Sequence, residues 1–272
     1  MIKVAVAGAC GRMGCSVIKA LSQNEDLRLV GAVESPANSN LGRDAGEVCG
    51  VGNLGISIKS SAHLTELLGG QRPEVLVDFT NAKAAVENAT VAANAGVNLV
   101  IGTTGFSDSQ REMMEEAIKR AGVSAVISPN MATGVNVFFK LARDATKVLG
   151  GYEVEIIEAH HKHKKDSPSG TALRVGELIA KETGKSLDDS AVYGRKGMGE
   201  RKPDEIGFHS IRAGDIVGEH TVLFAGDGER IEITHRAHGR EAFANGALKA
   251  IRFLHGKKDG RVYNTWHVLG ID

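Results

Sequence analysis

The chain has 272 residues, enough to form one large hydrophobic core or two smaller ones. Its 33 basic and 33 acidic residues give no net charge, so its overall charge does not favour nucleic acid or an anionic membrane surface as a partner. No apolar run approaches the roughly 20 residues that span a bilayer. The three cysteines, Cys10, Cys15 and Cys49, show no pairing pattern, which favours a reducing, cytoplasmic location.

The chain opens with a strand, a glycine-rich turn and a helix. Ile2–Ala7 is a β-branched run that enters Gly8-Ala-Cys-Gly-Arg-Met-Gly14, and apolar residues at helical spacing follow. This opening is a strand pattern, not that of a signal peptide. Any tight strand-to-helix turn can contain such glycines, but this context favours a backbone that approaches a pyrophosphate at a helix N-terminus.

Glu34 ends the second predicted strand, Leu27–Val33, 20 residues after Gly14. An acid at this position hydrogen-bonds the ribose hydroxyls of a dinucleotide. A solvated acid at the end of a strand is the alternative interpretation.

Strands and helices then alternate up to residue 130. After a polar connection over residues 35–55, we predict strands at 56–59, 74–80, 98–101 and 123–127, and helices at 62–68, 81–95 and 110–121. This alternation predicts an α/β domain with a doubly wound, Rossmann-type parallel sheet, which binds ligands at the carboxyl ends of its strands. The segments at such ends are Gly8–Gly14, Glu34, Phe79, Gly102–Thr104 and Ser128–Met131.

The pattern changes after residue 130. We predict helices at 135–149, 171–183 and 241–254, strands at 152–157, 207–212, 220–224 and 230–234, a long loop at 184–206, and a partly extended segment at 262–271. Glycine-containing turns between the later strands indicate a second, α+β domain with a mixed or antiparallel sheet. The expected division is residues 1–130 with 241–272, and residues 131–240. The uncovered edges and faces of such a sheet suit contact with another subunit.

The most informative stretch is Glu158-Ala-His-His-Lys-His-Lys-Lys-Asp-Ser-Pro-Ser-Gly-Thr-Ala172, between a predicted strand and a helix. Its crowded histidines and lysines, within His160–Lys165, repel one another unless a negative group lies among them, and we expect that group to be a ligand. Ser169-Gly170-Thr171 then begins a helix whose first N–H groups can hold an anion. Acids, bases and an anion site in one turn indicate catalysis.

Several alternatives remain open at this stage. The basic run is compatible with a solvated face or a polyanion contact, although histidine is mostly neutral at pH 7. The histidines would suit a metal-dependent hydrolase, but common zinc patterns contain Cys or carboxylate partners and the lysines disfavour a cation. A protein that senses the redox state by holding NAD(H) without turnover is a third class.

With these motifs placed, the whole chain resembles the 4-hydroxy-tetrahydrodipicolinate reductase (dihydrodipicolinate reductase) family. The resemblance lies in the His/Lys turn and in Val6–Gly14, Ile101–Gly105, Pro129–Met131, Gly134–Asn136 and Ala213–Thr221. It implies a nicotinamide-dependent reductase of lysine and diaminopimelate biosynthesis that acts on a small cyclic dicarboxylate. It further implies an N-terminal cofactor domain, a C-terminal domain for substrate binding and oligomerisation, and a homotetramer.

The resemblance also implies roles for individual residues. His160 and Lys164 would exchange protons with the substrate, and His161, Gly170, Thr171 and Arg240 would bind it. Hydride addition to a conjugated ring builds negative charge, which histidine and lysine are suited to neutralise. The residues that would line the cofactor are Gly8, Ala9, Cys10, Gly11, Arg12, Met13, Glu34, Gly102, Thr103, Thr104, Ser128, Pro129, Asn130 and Met131.

The expected cofactor is NADH or NADPH, without a metal. Members of the family able to use NADPH often carry a basic residue directly after the acid of the second strand, where this chain has Ser35. Glu34 should repel a 2′-phosphate, so we expect NADH to be used at least as well as NADPH unless Arg12 compensates. His238-Gly239, before Arg240, also departs from the expected small polar pair.

Overall fold

A computed structural model describes residues 1–271 of the chain, which folds into two compact units. Unit 1 comprises Met1–Thr133 and the chain from Arg240 onward, and unit 2 comprises Gly134–Gly239. Residues 131–133 and Arg240, which the sequence assigned to the second domain, therefore fall in unit 1. Among the described residues, no helix is both long enough and apolar enough to cross a membrane.

Unit 1 begins with alternating strands and helices. The strands are β1 (Ile2–Ala7), β2 (Leu27–Glu34), β3 (Ile58–Ser60), β4 (Val75–Asp78), β5 (Asn98–Ile101) and β6 (Ala125–Ile127). The helices are α1 (Arg12–Ser22), α2 (Ala45–Cys49), α3 (Leu64–Gln71), α4 (Ala82–Asn94) and α5 (Asp108–Ala121). A capping box begins α5, in which the side chains of Ser107 and Gln110 each accept a hydrogen bond from the other residue's backbone N–H.

The chain then passes through unit 2 and returns to unit 1. Apart from the first residue of α6, unit 2 contains α6 (Thr133–Val148), β7 (Glu153–His160), α7 (Gly170–Glu182), α8 (Leu187–Ser190), β8 (Ala191–Tyr193), β9 (Ile206–Arg212), β10 (Gly218–Gly226) and β11 (Glu229–Ala237). The returning segment adds α9 (Glu241–Leu254), β12 (Val262–Tyr263) and α10 (Thr265–Leu269) to unit 1.

The sheet of unit 1 is parallel and doubly wound, as predicted. Within residues 1–271 it has seven strands in the order β12-β6-β5-β4-β1-β2-β3. The order reverses between β1 and β4, and ligands of such sheets bind at the carboxyl ends of the strands beside this reversal.

Both faces of this sheet are buried. Val4 and Val6 of β1 join Leu248 of α9 on one side, whereas Ala5 and Ala7 join the cluster beneath α3, α4 and α5 on the other. Burial of each large aliphatic side chain stabilises the folded state by about 1.5–3 kcal/mol. The sheet therefore holds the turns at its edge in fixed positions.

The sheet of unit 2 is mixed, which also confirms the predicted fold class. Its described strands follow the order β11-β10-β7-β9-β8, with β10 antiparallel to β7 and β11, and β9 parallel to β7 and β8. In this register His160 lies beside Arg212, and Glu158 lies beside His220. The central strand thus gathers polar side chains from both neighbours.

The structure corrects four local expectations. The connection at 35–55 contains α2, the loop at 184–206 contains α8 and β8, and the partly extended segment at 262–271 contains the helix α10 after the short strand β12. Strand β7 continues to His160 and does not end at Ile157, so Glu158 and His160 lie on a strand and not on the turn after it.

Candidate active site

The glycine turn after β1 can form only because its glycines have no side chains. Gly8 has φ +75°, and a Cβ there would lie 2.6 Å from the carbonyl oxygen of Phe79. A Cβ on Gly14 would lie 2.0 Å from the carbonyl oxygen of Gly8. No side chain of the described residues caps α1 at Gly11, so the helix presents N–H groups to the turn. This shape and polarity fit the pyrophosphate of a dinucleotide.

Glu34 faces this turn from the end of β2. Its Oε2 accepts a hydrogen bond from the Cys10 backbone N–H (2.9 Å), and its Oε1 accepts one from the Ser35 N–H (2.9 Å). Burial and the nearby Glu34 carboxylate raise the pKa of Cys10 to about 11, so its thiol is protonated near neutral pH. The structure thus brings Glu34 and the glycine turn together, as a dinucleotide site requires.

Asp78, at the end of β4, organises the neighbouring turn, and sequence reasoning did not single it out. Its Oδ1 accepts hydrogen bonds from the hydroxyls of Thr80 (2.7 Å) and Thr103 (2.9 Å), and its Oδ2 accepts one from Asn88 (2.8 Å). Burial raises the pKa of Asp78, although these hydrogen bonds oppose the shift. An acid ending an otherwise apolar strand was the available sequence signal.

The remaining candidate cofactor residues differ in how accessible they are. Thr103, Ser128 and Met131 are buried, whereas Thr104 and Pro129 are exposed. The Ser128 hydroxyl donates to the Asn130 carbonyl oxygen (3.0 Å) and the Ser128 N–H to the Ile101 carbonyl oxygen (3.1 Å). The buried side chains therefore shape these turns, and the exposed ones are the groups a ligand can touch.

Glu158 forms the centre of the polar cluster in unit 2. Only 1% of its side chain is exposed, and its Oε2 lies 2.6 Å from Nδ1 of His160. Arg212 donates a hydrogen bond to each carboxylate oxygen of Glu158, from Nη1 to Oε2 (2.8 Å) and from Nη2 to Oε1 (2.7 Å). Burial alone would raise the pKa of Glu158, but the hydrogen bonds from Arg212 and His160 outweigh burial and lower the pKa to about 2.

His160 is buried between charged neighbours, yet it remains neutral near pH 7. Burial lowers its pKa and outweighs the opposite effect of Glu158, while the positive charges of Lys164 and Arg212 lower it further. Its ring meets that of His220 edge to face, with centroids 5.1 Å apart. His220 in turn bonds through Nε2 to the Ser169 hydroxyl (2.9 Å), which ties β10 to the start of α7.

Lys164 is paired within the turn itself. Its Nζ lies 2.8 and 2.9 Å from the carboxylate oxygens of Asp166, and 21% of its side chain is exposed. The sequence predicted that a ligand supplies the negative charge among these cations. The structure shows that two carboxylates of the chain, Glu158 and Asp166, also lie in the cluster.

The start of α7 is partly capped. The Ser169 hydroxyl accepts the Ala172 N–H (3.2 Å), and the Ser169 N–H donates to Oε1 of Glu158 (3.1 Å). The N–H groups of Gly170 and Thr171 take no part in this cap, so they remain suited to an anion. The buried Nδ1 of His161 has no hydrogen-bond partner among the described residues, which also fits a ligand contact.

Arg240 and the His/Lys turn fall in different units of the chain. Arg240 belongs to unit 1, at the start of α9, whereas the His/Lys turn belongs to unit 2. Within residues 1–271 no group of three or more His, Cys, Asp or Glu is arranged to hold a metal ion.

Unit 1 has the fold and glycine turn of dinucleotide-binding enzymes, and unit 2 carries acid/base groups, a combination that fits a nicotinamide-dependent oxidoreductase. Residues 2–131 match the family model "Dihydrodipicolinate reductase, N-terminus", and residues 134–269 match "Dihydrodipicolinate reductase, C-terminus". The chain therefore belongs to the dihydrodipicolinate reductase family.

Individual relatives agree with this assignment. The 4-hydroxy-tetrahydrodipicolinate reductases of Methanothermobacter thermautotrophicus and Methanocaldococcus jannaschii are each 54% identical to the chain over 273 residues, covering all of it and 100% and 98% of their own lengths. A solved dipicolinate-bound dihydrodipicolinate reductase from Paenisporosarcina sp. TG-14 is 26% identical, with a TM-score of 0.78 and 98% of each chain covered.

Proposed function

We propose that the chain reduces 4-hydroxy-tetrahydrodipicolinate to tetrahydrodipicolinate in lysine and diaminopimelate biosynthesis, with uptake of one hydride and one proton and release of the 4-hydroxyl group as water. The observation that carries this proposal is the buried Glu158–His160 pair beside Lys164 and the start of α7, in a chain of this reductase family. The bound nicotinamide, NADH or NADPH, supplies the hydride. The side chains of the protein bind a small cyclic dicarboxylate and donate a proton to it.

His160 and Lys164 are the proton-exchanging residues of this proposal. Free His160 is neutral near pH 7, because burial lowers its pKa. A dicarboxylate bound beside it adds opposite charge and raises that pKa, so substrate binding favours the protonated, acidic form. Lys164, paired with Asp166, serves as the second donor. Histidine and lysine side chains suit protonation of a ring that has just accepted a hydride.

The substrate's carboxylates are held by positive charge and by N–H groups. The helix start at Gly170 and Thr171, the side chain of His161 and the guanidinium of Arg240 are the proposed contacts. The Nδ1 of His161 supports its role, because a buried ring nitrogen without a partner among the described residues gains a hydrogen bond when an anion binds.

The cofactor is proposed to bind along the carboxyl edge of the parallel sheet. Gly8–Met13 would hold the pyrophosphate, Glu34 the ribose, and residues 102–104 and 128–131 the remaining groups. The tight glycine turn and the Glu34 carboxylate beside it support this assignment. The carboxylate also disfavours a 2′-phosphate, so we propose that NADH is used at least as well as NADPH.

We further propose that the enzyme is a cytoplasmic homotetramer that assembles through the sheet of unit 2. Apolar side chains remain uncovered on this sheet, where Ile211 is 47% and Ile231 44% exposed. Apolar and polar residues alternate along β11, a pattern that favours one buried face, yet Ile231 is not buried within the single chain. Exposed apolar side chains on an edge and an open face are suited to contact with further copies.

The proposal is tested with the purified full-length chain, freshly prepared substrate and either nicotinamide. We expect substrate-dependent oxidation of NADH, followed at the nicotinamide absorbance, and competitive inhibition by dipicolinate. No turnover with either nicotinamide would overturn the proposal. Zinc bound to the purified protein, with activity lost to a chelator, would favour the metal-dependent alternative.

A further inference from the structure

The carboxylate of Glu158 dictates which nitrogen of His160 carries the hydrogen. An ionised carboxylate can only accept hydrogen bonds, and Glu158 is ionised at any pH well above 2. Its Oε2 lies 2.6 Å from Nδ1, so Nδ1 must be the donor. In the neutral ring Nε2 then carries the lone pair, and in the charged ring Nε2 carries the removable proton.

Arg212 allows the buried Glu158 carboxylate to stay ionised beside a neutral His160. A buried carboxylate needs a positive partner, and if Arg212 did not supply it, His160 would be drawn into the charged form. The two parallel hydrogen bonds from Arg212 fix the plane of the carboxylate, and Arg212 also donates to the backbone oxygen of Asp166 (2.7 Å). The arginine therefore holds both the carboxylate and the turn that carries Lys164.

Nε2 of His160 lies next to Gly218, a residue without a side chain that could block a substrate from this nitrogen. A Cβ placed on Gly218 would lie 3.1 Å from Nε2 of His160, so any side chain at this position of β10 would press on the nitrogen. The charged and titratable groups around the ring are Glu158 on its own strand, Arg212 on β9, His220 on β10 and Lys164 in the turn. Among these, Glu158 is the group that bonds Nδ1.

We propose that Glu158 and Arg212 are positioning residues that hold His160 in its Nδ1–H form and so make Nε2 the atom that exchanges a proton with the substrate. This inference rests on the proposed function only for the identity of the substrate. The hydrogen-bonding pattern that it describes exists in the free protein and is measured without turnover.

The first test is the nitrogen chemical shifts of isotope-labelled histidine in the wild-type protein, with the His160 signals identified by their loss in His160→Gln. We expect neutral His160 to carry its hydrogen on Nδ1. A neutral ring with the hydrogen on Nε2 would overturn the proposal. If the Nδ1–H form is found but the substrate is not turned over, the proposed function fails and the positioning role stands.

The second test compares Glu158→Gln with a matched control, Glu155→Gln. Glu155 lies on the same strand, facing the other side, with its own histidine and arginine partners, His209 (2.7 Å) and Arg195 (2.9 Å). The amide at position 158 can offer either an oxygen or an N–H to Nδ1, so it no longer fixes the hydrogen. We expect kcat to fall about tenfold or more in Glu158→Gln with the KM for NADH unchanged.

The pH dependence of kcat/KM distinguishes a positioning role of Glu158 from a purely structural one. Loss of the anion removes stabilisation of the charged ring, so the limb of the kcat/KM profile that His160 controls should move to lower pH in Glu158→Gln. The control should keep the wild-type kcat and profile. If Glu158→Gln is folded, as judged by its circular dichroism, but keeps the wild-type kcat, or if both variants lose kcat equally, the positioning role is refuted. Should Glu158→Gln not fold, the conservative Arg212→Lys, which retains charge but not the paired hydrogen bonds, replaces it. We expect a similar loss of kcat, but here the limb should move to higher pH, because a less neutralised Glu158 draws His160 toward its charged form.

Discussion

Lys164 and Lys165 are neighbours in the sequence but lie in different environments. Lys164 is half-buried, and its ammonium group pairs with Asp166 close enough to His160 to act on its pKa. Lys165 is exposed. Burial and pairing fix a side chain in one place, and a proton donor must be fixed in this way. The sequence alone showed only a run of cations, so it could not separate the two lysines.

Replacing Lys164 should therefore cost far more activity than replacing its neighbour. We expect Lys164→Ala to lower kcat by about a hundredfold or more, because a positioned acid contributes roughly 10²–10⁴ to the rate. Lys165→Ala should stay within about twofold of wild type. Steady-state kinetics at saturating NADH measures both, and equal losses in the two variants would contradict the role of Lys164.

The charge of Glu34 should determine whether the enzyme favours NADH over NADPH. In Glu34→Gln the amide oxygen can still accept the Cys10 N–H, so the turn is preserved while the negative charge is removed. We expect the ratio of kcat/KM for NADH to that for NADPH to fall by about tenfold, equivalent to about 1.4 kcal/mol. A wild-type enzyme that strongly prefers NADPH would show this account of Glu34 to be wrong.

Local sequence revealed some of the site's residues but not their partners. His160 and the glycine turn were identified because their chemistry or spacing is unusual within a few neighbouring positions. Arg212 was not identified, because its contact with Glu158 depends on the parallel pairing of β7 and β9, strands that are distant in the sequence. His220 was missed for the same reason.

At the level of elements, the ends of β4 and β5 are joined by the buried carboxylate of Asp78. In Asp78→Ala the hydroxyls of Thr80 and Thr103 and the amide of Asn88 lose their acceptor. Each buried group left unsatisfied costs about 1–3 kcal/mol, so we expect a loss of roughly 2–4 kcal/mol in unfolding free energy after partial relaxation.

Asp78→Asn is the matched control for this variant. Its amide keeps an acceptor for the threonines, and a rotated Asn88 can accept from the new N–H group, so the loss should be smaller. Urea unfolding of both variants measures the difference. Equal stability of Asp78→Ala and wild type would mean that Asp78 does not organise the turn at residues 102–104.

Strand β7 should also make the fold sensitive to acid. Glu158 has a folded pKa of about 2 against an ordinary value of 4.5, so the unfolded chain binds its proton more readily. The resulting stability is present above pH 4.5 and is lost as the pH falls through about 2. We expect the unfolding free energy of wild type to fall by a few kcal/mol more than that of Glu158→Gln across this window. Parallel pH curves from denaturant unfolding would contradict this expectation.

Two of the helices that the sequence did not predict are short and begin with side-chain caps. Helix α2 is stabilised by Asp44, which accepts the N–H groups of Gly46 and Glu47, and α10 by a capping box between Asn264 and His267. Each has only five residues, too few to show a helical period. The longer elements of both units were predicted from periodicity, β-branched runs and glycine-containing turns, with ends that differ by a few residues.

At the level of the whole molecule, assembly should depend on the open face of the second sheet. We expect the native protein to sediment as four copies and Ile211→Asp to dissociate it, because a charge on this face opposes apolar contact. Met198→Asp, at a fully exposed loop position, should leave assembly unchanged. A wild-type monomer, or dissociation by both substitutions, would contradict the proposed interface.

The central claim is that this molecule transfers a hydride from a nicotinamide to a cyclic dicarboxylate. It is tested most directly with NADH carrying deuterium at the transferable position and with mass spectrometry of the product. The account predicts one deuterium in each molecule of tetrahydrodipicolinate formed, and a much lower rate in His160→Gln. Product without deuterium from either face of the labelled nicotinamide, or an unchanged rate in that variant, would contradict it.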